Sequence, residues 1–130
     1  MRWIAIGLQL LLGLLFLFSA SLKLTGEADA IRDHLGVAPW FWTLTAWVEI
    51  VGAAGLLAGV RSARLAVLAG LWLAATMAGG IITHVLAGDS PADALSAAVL
   101  LILNLAVATV RSREAALPRL IARTPRPAGR

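Results

Sequence analysis

Five side chains stand out in an otherwise largely apolar sequence: Ser19, Lys23, Glu49, His84 and Asn104. A carboxylate and an imidazole exchange protons readily in a dry setting, and Glu49 and His84 are one of each inside long apolar runs. Glu49 follows Trp40 by nine residues. At ~1.5 Å per residue this is about 13 Å into a helix, near the midplane of a bilayer. A carboxylate at that depth costs several kcal/mol unless neutral or paired, so it must face a helix-bundle interior. Trp42, Thr45, Gly52, Ala53 and Leu56 share its helix face, and the small residues admit a close neighbour. Asn104 is expected at similar depth, where its amide is a partner for Glu49. Met77 and Gly80 fall on the face of His84, towards the end of its run. Gln9, Leu12, Phe16, Ser19 and Lys23 form one stripe, with Lys23 at the boundary, level with His84 and above Glu49. The candidate catalytic residues are therefore Glu49 and His84. Ser19, Lys23, Gly52, Met77, Gly80 and Asn104 are the candidate ligand-binding residues. Each has a structural alternative: snorkelling for Lys23, a bond to its own helix for Ser19, interhelical glue for Asn104, an interfacial place for His84 and a buried hydrogen bond for Glu49.

Four helices are required to position these groups. The 130 residues are 60% hydrophobic and 14% charged, with a mean hydropathy of +0.88, a membrane composition. Apolar spans are expected at about 3–24, 40–60, 65–87 and 94–110, each near the roughly 17–25 residues that cross a bilayer. Only helices satisfy the backbone there without closing a barrel. The expected fold is all-α, a four-transmembrane-helix bundle over residues 1–110 followed by a basic tail, 111–130. Ser90-Pro91-Ala92-Asp93 reads as a helix start, and Arg61 to Arg64 as a tight turn. Between the first two spans, Ala28, Ile31 and Leu35 mark a short amphipathic surface helix, capped by Thr25 and ended by Gly36 and Pro39.

Nine arginines fall on one side of this topology, whereas only Lys23 and Arg32 fall on the other. The positive-inside bias predicts that both termini are cytoplasmic. The tail after Val110 carries six of those arginines. It reads as an anchor on anionic lipid or a docking segment, and without interleaved aromatics it gives no support to nucleic-acid binding. Arg2 and Ser19-Ala20-Ser21 resemble a signal peptide, but 16 apolar residues before Ser19 exceed the usual ~7–15, so the first span is expected to stay uncleaved.

Several chemistries are excluded. With no cysteine there is no thiol relay, Cys-bound zinc or iron–sulfur cluster. No metal-ligand spacing appears, and no nucleophile–base arrangement or phosphate loop makes a self-sufficient catalytic motif. Gly55-x-x-x-Gly59 and Ala75-x-x-x-Gly79 favour close packing within the chain or in a homo-oligomer.

"GLLFLFSASLKLTG", "WVEIVGAAGLLAGV", "GGIITHVL" and "LLILNLAV" together resemble the DoxX-like family of small bacterial four-helix membrane proteins, over roughly residues 7–110. The positions carried over by the resemblance are Lys23, Glu49, Gly52, His84 and Asn104. It implies an accessory subunit of quinone-linked redox chemistry in the bacterial cytoplasmic (inner) membrane, with quinone as the candidate cofactor and a larger redox protein as partner. In that reading the polar groups line a cavity in the outer half of the bundle. A non-catalytic assembly factor or chaperone, and a small-molecule or lipid-binding protein, are the alternatives.

Overall fold

The computed structural model describes residues 1–123, with side chains through residue 116. It is all helical among the described residues: α1 (Arg2–Thr25), α2 (Asp29–His34), α3 (Pro39–Ala58), α4 (Ala63–Ala87) and α5 (Leu95–Arg123). All but α2 are long and apolar enough to cross a membrane. They form a closed up-and-down ring in which α1 packs on α3 and α5, and α4 packs on α3 and α5.

The surface explains why this ring suits lipid. Only 28–33% of each apolar window is buried, so most of it faces outward. Leu11, Leu14, Phe18, Trp47, Val51, Leu68, Ile82 and Ile102 are exposed, whereas Gln9, Glu49, Asn104 and Arg111 are buried. An aqueous fold would expose those polar groups and hide those apolar ones; a fold solvated by hydrocarbon reverses the arrangement. Leu12, Phe16, Ala53, Leu56, Leu73, Met77 and Val107 make the central core.

The helix ends account for the connections. Gly26 ends α1 in the left-handed region, φ 86°, where other residues pay a steric cost. Thr25 is the last residue of α1 and bonds back to the Leu22 carbonyl, so it does not cap α2, whose N-cap position is Ala28. Pro39 opens α3 at a position where its missing N–H is harmless. The Ser62 hydroxyl accepts from the Leu65 N–H at the start of α4. Ser90 and Asp93 do bond, through Ser90 N and Oγ to Asp93 Oδ2 at 3.0 and 2.7 Å. They brace a turn rather than the first helical turn, and α5 starts at Leu95.

At the other end of the bundle, Arg111 is almost fully buried. Its Nη2 donates to the Gly59 and Val60 carbonyls at 2.8 and 3.3 Å, and Nη1 pairs with Glu114. The end of α3 is thus capped by a cation from α5, which satisfies orphan carbonyls and opposes the helix dipole. Helix α5 runs on to Arg123, past the expected end of the last span at 110. Arg126 and Arg130 of the expected tail lie outside the described residues. The Gly55/Gly59 spacing is used within the chain. A Cβ on Gly55 would meet the Ala69 Cβ at 2.8 Å, and one on Gly59 would meet the Ala66 backbone at 2.7 Å.

Candidate functional site

Lys23 lies in the last turn of α1, and its long stem carries the ammonium to Glu49 on α3. Lys23 Nζ donates to Glu49 Oε1 at 2.6 Å, and Glu49 is only 2% exposed. The ammonium also lies 4.8 Å from the centre of the Trp42 ring, about two turns before Glu49 on α3. Two polar atoms in this cluster are buried without partners: Glu49 Oε2, an acceptor, and Trp42 Nε1, a donor.

Above and beside the ion pair is a cavity of about 450 Å³. Its walls include Ser19 and Leu22 of α1, Thr45 and Val48 of α3, and Thr76, Met77, Gly80 and His84 of α4. The apolar face of the α2 segment, Ala28, Ile31 and Leu35, lines it as well. The amphipathic segment is thus a surface helix whose apolar face lies against the cavity. That size and largely apolar lining fit a small-molecule site.

A second polar cluster borders the cavity. The helix α4 ends at Gly88, φ 78°, and the following N–H of Asp89 bonds back to the His84 carbonyl at 3.1 Å. This turn sets the Asp89 carboxylate beside the ring of His84, with Oδ2 2.7 Å from Nδ1. Oδ1 lies 2.8 Å from Nε2 of His34, the last residue of α2. The His84 bond, and secondarily that to His34, holds the Asp89 carboxyl below the usual carboxylate range. An ionised carboxylate is an acceptor only, so each imidazole donates to it. For His84 this fixes Nδ1–H and leaves Nε2 as the second site of the ring.

The DoxX-like family model matches residues 7–107, which contain both clusters and the cavity. The chain belongs to the DoxX-like family. No curated protein and no solved structure matches it. It is a multi-pass membrane protein with four spanning helices.

In this DoxX-like chain the structure gathers Ser19, Lys23, Glu49, Met77, Gly80 and His84 around one cavity. Gly52 and Asn104 are not among its lining residues. Gly52 makes room for α4, since a Cβ there would strike Leu73 Cδ2 at 2.5 Å and Trp72 Cδ1 at 2.9 Å. Asn104 donates from Nδ2 to the Leu100 carbonyl of its own helix at 2.8 Å, and Lys23 is the partner of Glu49 in its place. The separation in depth between Lys23 and Glu49 is bridged by side-chain length, which helical rise alone does not count.

Sequence reasoning missed Asp89 and His34 as members of the cluster. The signal was present in "THVLAGD": a glycine shortly after His84 turns the chain back, so that a residue five positions on meets the ring. Among the described residues no group of three or more His, Cys, Asp and Glu is arranged to hold a metal ion.

Proposed function

We propose that this chain is a quinone-binding accessory subunit of a membrane oxidoreductase, in the cytoplasmic membrane of a bacterium, with its cavity facing outward. The reading is carried by one observation: an apolar cavity whose floor is a Lys23–Glu49 ion pair with Glu49 Oε2 left unpartnered. The fit to a quinone head group rests on that donor set. A flat ring with oxygen substituents suits apolar walls, and its carbonyl oxygens suit the donors Lys23 Nζ and Trp42 Nε1. When bound, such a group supplies two-electron chemistry coupled to two protons.

The residues have distinct roles in this reading. Lys23 orients a ring oxygen and fixes Glu49, while Glu49 Oε2 is the atom that receives a proton. His84 presents Nε2 as a proton acceptor, its tautomer set by the Nδ1–H bond to Asp89. The α2 cover excludes water, which strengthens every electrostatic contact beneath it. Electrons come from a partner protein. The arginine asymmetry supports the outward orientation of the cavity.

The test is thermal unfolding of the purified chain in lipid nanodiscs. Decylubiquinone is expected to raise the melting temperature with dose, and to do so much less in Lys23→Met/Glu49→Met. No shift in the wild-type chain contradicts the reading. If the same preparation instead retains a larger membrane protein, the assembly-factor alternative is favoured.

A further inference from the structure

The polar atoms around the cavity floor differ in what they ask of a ligand. Lys23 offers remaining N–H donors beyond its bond to Glu49, and Trp42 Nε1 is a second donor. Either is satisfied by any carbonyl or ether oxygen. Glu49 Oε2 is different. As the second oxygen of an ion-paired carboxylate it accepts and does not donate, and it is buried with no partner. A quinone carries carbonyl oxygens only, so it answers the donors and sets a lone pair against Oε2. A quinol hydroxyl accepts from Lys23 or Trp42 and donates its O–H to Oε2.

From this we infer that the cavity selects the reduced, hydroxyl-bearing form of its ligand, a quinol, over the oxidised quinone, with Glu49 Oε2 as the specificity-determining atom. The inference rests on the quinone reading and adds to it the redox state that binds. A buried acceptor left unpaired by the wrong ligand costs its desolvation outright, whereas the right one gains a charge-assisted hydrogen bond. Such bonds discriminate strongly because the penalty falls only on the ligand that lacks the donor. The expected preference is about tenfold or more in affinity.

Isothermal titration of the wild-type chain in nanodiscs under argon tests this, with empty nanodiscs subtracting lipid partition. The probes are decylubiquinol, decylubiquinone and the quinol dimethyl ether, which keeps the ring and acceptor oxygens but has no hydroxyl. Quinol binding about tenfold tighter than both other probes supports the inference. A dimethyl ether as tight as the quinol, or a quinone equal to or tighter than it, overturns the inference while leaving the quinone reading intact. Failure of all three probes to bind above empty nanodiscs overturns the quinone reading itself. In Glu49→Gln, whose amide both donates and accepts, the preference is expected to fall to about twofold or less. A full preference retained in that variant assigns the selectivity elsewhere and overturns the role of Oε2.

Discussion

At the scale of residues, the Lys23–Glu49 pair explains how an acid is kept in the middle of a hydrophobic bundle. Its strength lies in being complete: remove one partner and the other is a buried, unpaired charge. Lys23→Met and Glu49→Met are each expected to lose about 2–4 kcal/mol of stability. The double variant is expected to regain most of that loss, because two apolar side chains replace the whole pair. Unfolding in detergent followed by tryptophan fluorescence measures the cycle; additive losses in the double variant would show that the two groups are not coupled. Much of this was legible. A lone Glu within "WVEIVGAAGLL" demands a partner, and Ser19 and Lys23 fall on an inward stripe. The identity of the partner was not legible, because sequence spacing measures backbone depth and a lysine stem reaches well beyond its own Cα. Asn104, level with Glu49 by helical rise, instead donates from Nδ2 to the Leu100 carbonyl of its own helix, and its Oδ1 is buried without a partner.

At the scale of elements, the α2 segment is a strap between two glycines of positive φ, Gly26 at 86° and Gly36 at 66°. His34 to Asp89 is its hydrogen bond to the rest of the bundle among the described side chains. Asp89 has a lowered pKa in the folded chain, so its contribution to stability is present above the ordinary carboxylate value of ~3.9 and is lost as pH falls through the lowered value. The stability gap between wild type and Asp89→Asn is therefore expected to close as the pH falls below about 4. Melting curves on either side of that pH measure it; a gap unchanged in acid would remove the carboxylate from the account. The same substitution loosens the cover. A cysteine introduced at the buried Ala28 is unique in this chain, and its labelling rate is expected to rise several-fold when Asp89→Asn is added. The amphipathic pattern of α2 was readable from Ala28, Ile31 and Leu35, but what its apolar face covers was not. That depends on how far the ends of α1, α3 and α4 splay apart, which no local pattern records.

At the scale of the whole molecule, apolar periodicity sufficed for the four-helix architecture, because long apolar runs leave the backbone no alternative in lipid. The order of helices around the ring was beyond it: every span has an inward face, and only packing decides which faces meet. Gly55 and Gly59 illustrate this, since their spacing suits a homo-oligomer as well as the α3–α4 contact they make. The arginine asymmetry gives the expected orientation in the membrane, with both termini cytoplasmic. With cysteines placed singly at Ala38 and at Ser112, an impermeant thiol reagent on intact cells is expected to label the first and spare the second. The reverse pattern would turn the cavity towards the cytoplasm. The central claim, that the cavity floored by Lys23 and Glu49 receives a quinone-type head group, is tested most directly by photolabelling in native membranes with an azide-bearing quinone, followed by peptide mapping. The account predicts adducts on the cavity walls at 19–23, 42–49 and 76–84, suppressed by excess decylubiquinol. Adducts spread over the lipid-facing surfaces of all four spanning helices, and unaffected by that competitor, would contradict it.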